Sequence, residues 1–408
     1  MSKTVYWLWL TLLERIGTGS ALRYLDYFDG IENLYSAEKE DYLHVPGIKS
    51  EEIRVLCDKD LSKAEKTLDQ CASSGINILC LSDNAYPERL LNIHHCPPVL
   101  YYKGQLPNID EELIIGIVGT RKASDYGIKT ARRLGAEIAL FGGIVATGLA
   151  EGIDSAAADG ALDSDGFVIG VLGTGVDVTY PAWNTKLHNK VCERGLVISE
   201  YPPSTRAARG SFPARNRIIS GLSLGVTVVE APEKSGALIT AARALEQGRD
   251  VFAVPGNIDL IGYKGSNALI RDGAALVTSG FDVLSQYAWR FPEKLDINAQ
   301  LKRSETTNGQ SNQVSLTGTF DGSERKKEVD KKRSMAYIDL KEQSDMLTED
   351  EMKIITIMQN KLLHINEIIS LSGLETGKAL SALTLLEIKG YIRAVEGKMF
   401  ELRMNIIR

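Results

Sequence analysis

Between Gly119 and Arg133 the chain reads GTRKASDYGIKTARR, with Arg121, Lys122, Lys129, Arg132 and Arg133 set against a lone acid, Asp125. From Tyr201 to Gly221 it carries Arg206, Arg209, Arg215 and Arg217 and no acid. The chain as a whole has 47 Lys and Arg against 53 Asp and Glu and a net charge of −6, so any attraction for anions must come from such local patches. A guanidinium forks onto two oxygens of a phosphate, and Gly, Ser and Thr beside it let backbone N–H groups approach the same anion. These residues suit phosphate binding; the ordinary alternative is a solvated charged face.

FPARNRIISGLS, Phe212 to Ser223, sharpens the reading. Ile218, Ile219 and Leu222 recur at helical spacing, which places Arg215, Asn216 and Arg217 in a first turn behind Pro213. Cations at a helix N-terminus are unfavourable unless an anion sits between them. The two arginines lie two positions apart and diverge, so one is expected on the ligand and the other on an acid at a strand end, Glu200 or Glu230. Lys186 lies in TYPAWNTKL with Tyr180, Trp183 and Asn184. Aromatics among cations suit single-stranded nucleic acid, whose bases stack on rings while its phosphates meet the cations. Tyr126, Trp183 and Phe212 are the candidate platforms, although any one of them could equally be a core residue.

The acids allow a second chemistry. Glu151, Asp154, Asp159, Asp163, Glu200 and Glu230 cluster after predicted strands, where they could hold Mg²⁺ or act as a general base on a nucleotide. They could instead cap helices and orient arginines, and no second catalytic group stands beside any of them. The chain has no G-x-x-x-x-G-K-[ST], no G-x-G-x-x-G after its first central strand and no H-E-x-x-H. His94, His95 and Cys96 are adjacent and point apart, so no metal site is expected there, and no cofactor is called for.

Short β-branched runs at 114–118, 144–147, 167–172, 196–199, 226–229, 251–254 and 275–277 alternate with helical patterns. That alternation predicts an α/β fold with a parallel, doubly wound sheet. Its carboxyl edge carries the loops GTRKAS, GLAEGID, GTGVD, EYPP, EAPEKSGALIT and PGN, and ligands bind at such an edge. Residues 1–100 read as helical, with LLERIGTGS and HVPGIKSEEI as a faint helix-hairpin-helix echo; 101–288 hold the sheet. Residues 289–345 are polar, of mixed charge and poor in apolar side chains, as a flexible linker is. From 346 to 408 periodicity returns in the order of a winged helix, whose expected recognition helix, Thr376 to Lys389, lacks arginine. Five cysteines without a C-x-x-C pair point to reduced thiols, and Trp7 to Leu13 is too short to span a bilayer, so a cytoplasmic protein is expected.

IVGTRKASDYG, ATGLAEGIDSAAADGAL, VLGTGVDVTYPAWNTKL, FPARNRIISGLS, VVEAPEKSGALITAARALEQGRDVFAVPGN and GSNALIRDGA resemble, in order, the DNA-processing protein A family, also called DprA or Smf. The resemblance covers about 112–284 and extends to both flanks. It implies an extended Rossmann-like core between an N-terminal helical domain, SAM-like or helix-hairpin-helix-like, and a C-terminal winged helix. It further implies a homodimer that binds single-stranded DNA without sequence preference, protects incoming DNA and loads the RecA recombinase in natural transformation and recombination. By position, Gly119, Thr120, Arg121 and Ser124 fall on the family's DNA-contacting loop, Asn184 and Lys186 on its YPxxNxxL segment, and Phe212, Arg215, Asn216 and Arg217 on its FPxRNRII motif. Tyr126, Ser235 and Gly236 complete the expected DNA-binding set; no catalytic or metal residue is expected. Where the family usually has a histidine this chain has Ala158. A nucleotide hydrolase using Glu151 or Asp154, and an adaptor docking through the winged helix, stay open.

Overall fold

The computed structural model describes residues 3–288, 290–291, 293–295, 337–339, 348–358, 363–374, 376–388, 392–395, 399–402 and 405–407. Most of the expected linker, 289–345, lies outside the described residues. The structure divides into two compact units, one within residues 1–313 and one within 314–408.

The first unit is organised by a 9-stranded sheet in the order β1-β2-β6-β5-β4-β3-β7-β8-β9. Its strands are β1 (Asn77–Cys80), β2 (Val99–Gly104), β3 (Ile114–Val118), β4 (Ile144–Thr147), β5 (Val168–Leu172), β6 (Leu196–Ser199), β7 (Gly225–Val228), β8 (Asp250–Ala253) and β9 (Ala275–Leu276). From β3 to β9 every neighbouring pair is parallel. β3, β4 and β5 are buried throughout, as strands covered by helices on both faces must be.

β1 and β2 depart from the helical reading of residues 1–100. β2 runs antiparallel to β6, and β1 antiparallel to β2, so the chain enters the sheet before its parallel portion begins. β1 has only four residues and a half-exposed start, too short to show a period of two. β2 carries a strand-forming VLYY, but the prolines before it make the segment resemble a connection. The helices from Thr4–Leu12 to Ser62–Ser73 precede it, and their buried Trp7, Leu8 and Leu10 share one hydrophobic core with Tyr101 of β2. In HVPGIKSEEI, Glu52 accepts from Ser20 Oγ at 2.9 Å and from Lys49 N at 2.9 Å, while Glu51 pairs with Arg15. These acids tie the second glycine segment to the first, the mark of a packing unit.

The helices after β3 and β4, Asp125–Leu140 and Ile153–Asp163, approach backbone to backbone. A Cβ on Gly160 would lie 1.9 Å from the Arg132 carbonyl oxygen, and one on Gly135 would lie 2.1 Å from that of Ala157. The contact sets the spacing of the loops that open both helices. Gly160→Ala is therefore expected to force the helices apart at a cost of about 1–3 kcal/mol, read as a lower midpoint in thermal unfolding. An unchanged midpoint would mean that the helices separate freely.

In the second unit, helices Glu349–Met358, Ile365–Ser372 and Thr376–Ile388 enclose Ile354, Ile355, Met358, Ile368, Leu383 and Leu386. β10 (Tyr337–Asp339) pairs in parallel with β14 (Asn405–Ile407). β11 (Leu363–His364), β12 (Ile392–Val395) and β13 (Met399–Leu402) form a sheet in the order β11-β13-β12. The succession of helix, strand, two helices and two strands is that of a winged helix. Thr348 and Glu351 cap its first helix reciprocally, at 2.7 and 3.3 Å.

Candidate nucleic-acid interface

β3 is flanked by β4 on one side and β7 on the other, so the chain leaves it in one direction and later returns across it. The loops after β3 and β7 separate at this reversal and open a crevice. A cleft of about 860 Å³ occupies it, and its walls bring together Gly119, Thr120, Arg121, Phe212, Arg215, Asn216, Ser235 and Gly236.

The first wall is held by Glu230, the acid that ends β7. Thr120 N donates to its carbonyl oxygen at 2.7 Å; its carboxylate accepts from Ser124 N at 3.0 Å, Ser124 Oγ at 2.8 Å and Tyr263 Oη at 2.9 Å. Ser124 in turn caps helix Asp125–Leu140 by accepting from Gly127 N at 3.1 Å. The loop is thereby fastened at both ends, and Arg121 and Lys122 stand exposed at its tip. The Arg121 guanidinium lies 5.1 Å from the Phe212 ring centroid, and Phe212 meets Tyr180 at 5.0 Å. A cation on a ring beside an aromatic pair is an arrangement onto which a base can stack.

Arg215 forms the floor. Helix Ser211–Leu222 begins four residues before it, so Arg215 lies in the second turn and not at the N-terminus that its sequence suggested. Pro213 is inside the first turn, where its missing N–H is no loss. Arg215 Nη1 donates to the Val171 carbonyl, and Nε is buried without a partner. Gly148 makes room for the guanidinium, since a Cβ there would lie 2.3 Å from Nη2. Burial pushes Arg215 down to about 10, against the upward pull of Asp154. Asp154 is buried too. Desolvation raises its pKa, opposed by Arg215 and by the N–H groups of Gly148, Gly119 and Ala150. The floor is a buried cation lining the cleft, with Asp154 as the opposite charge that acts on it.

Helix Gly236–Glu246 supplies the opposite wall with its N-terminus, where Ser235 Oγ accepts from Ala237 N at 3.2 Å. Asn216 ties this end to the arginine helix through a 3.2 Å bond to the Gly236 carbonyl. Free N–H groups and the helix dipole favour an anion here as well.

Five expected contact residues lie outside the cleft. Arg217 is engaged by Glu200 through bonds of 2.7 and 2.6 Å, and by the carbonyls of His95 at 2.9 Å and Ala214 at 2.8 Å. Burial works against its charge, but Glu200 outweighs it and raises the Arg217 pKa. Ser124 is consumed in the loop closure. Asn184 donates to the Leu149 carbonyl at 3.1 Å and Ser155 Oγ at 2.8 Å, pinning the YPAWN segment to the loop after β4. Tyr126 packs its ring against Tyr263 at 5.8 Å, and Lys186 is exposed on helix Thr185–Arg194. Beside the cleft, Trp183 stands 70% exposed next to Tyr180, Phe212, Arg121 and Glu151 around a smaller pocket.

Lys122, Arg209 and Lys234 line the cleft without having been among the expected contact residues; Lys122 and Arg209 belong to the two cationic patches, whereas Lys234 sits in a loop with Glu230 and Glu233. Ile261 lines it too, and nothing marks an isoleucine as a rim residue in sequence. Among the acids, Glu200 and Glu230 are committed to Arg217 and the Ser124 loop, and Asp154 accepts from Gly148 N at 3.1 Å near Arg215. Among the described residues no three His, Cys, Asp or Glu side chains converge as metal ligands.

The family model described as DNA recombination-mediator protein A matches residues 77–288, and that described as the DprA winged helix domain matches 340–398. Protein Smf of Synechocystis is 32% identical over 408 residues, covering 98% of this chain and 99% of that relative. DNA processing protein DprA of Streptococcus pneumoniae is 46% identical over 208 residues, 50% of this chain and 72% of the relative. The X-ray structure of DNA processing protein A from Streptococcus pneumoniae matches at 35% identity with a TM-score of 0.60, covering 70% of this chain and 97% of that one.

Proposed function

Because the chain belongs to the DNA recombination-mediator protein A family, also named DprA or Smf, we propose that it binds single-stranded DNA without sequence preference in the cleft at the β3/β7 reversal. In this reading it acts by binding, not catalysis: it shields incoming DNA and loads the RecA recombinase in transformation and recombination, as a cytoplasmic homodimer. Recombinase loading and dimerisation rest on the family resemblance. No helix among the described residues is long and apolar enough to cross a membrane.

The observation that carries the reading is Arg121 over Phe212 in one cleft with buried Arg215 and the Ser235–Gly236 helix end. Phosphates meet the cations and N–H groups while bases stack on the rings, and Asn216, the amide in the lining, is spent on the Gly236 carbonyl rather than on a base edge. Duplex DNA hides its base faces, so a single strand should win in competition.

Arg121→Ala tests it. Its side chain is exposed, so the melting temperature should hold. Affinity for oligothymidylate should fall roughly tenfold or more, the worth of a charge-assisted contact. The slope of log affinity against log salt should shrink by about one. Glu151→Gln, on the rim, should leave affinity unaltered. Nucleotide cleavage abolished by Glu151→Gln, with Arg121→Ala binding normally, would favour the hydrolase instead.

A further inference from the structure

β8 runs into PGNIDLIGYKG, whose tip turns large aliphatic side chains to solvent: Ile258 is 80% exposed, Leu260 49% and Ile261 72%. The loop is not loosely held. Asn267 clamps its entry, accepting from Gly256 N at 3.1 Å and donating to the Gly256 carbonyl at 3.0 Å. Tyr263 anchors its exit, fully buried on Glu230, and in between Asp259 N bonds Asn257 Oδ1 at 2.9 Å and Leu260 N bonds the Asn257 carbonyl at 3.1 Å. A rigid loop that holds apolar side chains in water marks a contact surface.

Its position names the partner. Ile261 lines the same cleft as Arg121, Lys122 and Lys234, and Ile258 stands exposed three residues before it in the same tip. Apolar faces contiguous with cations fit a ligand that alternates flat apolar groups with phosphates. Asp259, between the isoleucines in the chain, sets a negative charge beside them that disfavours phosphate there.

We propose that the Ile258–Ile261 tip is a second base platform, on which bases of a single strand leaving the cleft are seated. It rests on the reading of the cleft as a single-strand site and gives that site an exit. Affinity must then rise with strand length past the cleft, and the gain must come from bases rather than phosphates.

The test compares Ile258→Ser/Ile261→Ser with the unaltered protein. The probes are an oligothymidylate of about 20 nucleotides, one of about 6, and an abasic strand as long as the first. Both side chains are solvent-facing, so the variant should fold, which an unchanged melting curve confirms. The variant should lose roughly tenfold on the long oligothymidylate and keep its affinity for the abasic strand. Equal losses on both strands, or none on either, would overturn the proposal. So would a lowered sedimentation coefficient with unchanged DNA affinity, which would make the tip a contact between copies of the chain. Failure of the unaltered protein to bind any oligothymidylate would bring down the cleft reading itself, a result distinct from the others.

Discussion

Arg217→Ala is expected to lower unfolding stability by about 3–5 kcal/mol while binding oligothymidylate with nearly unaltered affinity. The Arg217 and Glu200 side chains are only 11% and 12% exposed, and two of Arg217's donors meet both oxygens of the Glu200 carboxylate. The same guanidinium holds the His95 carbonyl, so it fastens the end of β6 and the connection before β2 to helix Ser211–Leu222. Removing it leaves a largely buried Glu200 without its counter-charge and orphans that carbonyl. For a unit of this size each kcal/mol moves the midpoint by about 2–4 °C, so a fall of roughly 10 °C should appear in a melt. Arg217→Met/Glu200→Met should recover much of the loss, since replacing both buried charges with apolar groups is often near neutral. A variant that melts normally but has lost DNA affinity would place Arg217 back in the site.

FPARNRIISGLS thus shows what the sequence could and could not convey. That its arginines diverge, one of them onto an acid, followed from their spacing. Which arginine took which role did not, because that depends on where the helix starts. Ser211, not Arg215, opens it, and the extra turn carries Arg215 under the cleft and Arg217 toward β6. The buried strands β3 to β9 were legible because each is a short β-branched run between glycine-rich loops. β1 and β2 were not, since four residues with only the first two toward solvent and a proline-led segment carry no period. Ser124 and Asn184 were recognisable as loop residues, but whether a polar side chain faces a ligand or its own backbone is settled by neighbours from other strands. For Ser124 that neighbour is Glu230, 106 residues away. The tip after β8 was silent altogether: isolated isoleucines read as core.

The remaining large effect concerns the cleft floor, where Asp154→Asn should destabilise the protein by about 3–5 kcal/mol yet make it more responsive to ligand. Arg215 is already depressed by burial, with an unpartnered Nε, and Asp154 is the group that most offsets this. Asn at 154 keeps an oxygen for Gly148 N but removes the counter-charge. A bound phosphate would replace it, so saturating oligothymidylate should raise the melting midpoint of Asp154→Asn more than that of the unaltered protein. The reverse change, Arg215→Met, leaves Asp154 alone in a desolvated site. Its pKa, already raised in the folded state, then rises further. A carboxyl whose folded pKa exceeds its unfolded one binds more protons when folded, so stability is retained at low pH and lost as pH climbs from the ordinary carboxylate range through the raised value. Arg215→Met should accordingly melt closer to the unaltered protein at pH 5 than at pH 8, with DNA affinity lost at both. Asp154→Asn/Arg215→Met should regain stability without regaining affinity, because the buried charges cancel in folding but only the arginine meets phosphate. Additive losses in the double variant, or equal ligand-induced shifts in Asp154→Asn and the unaltered protein, would show that the two groups act independently and that Arg215 does not face the strand.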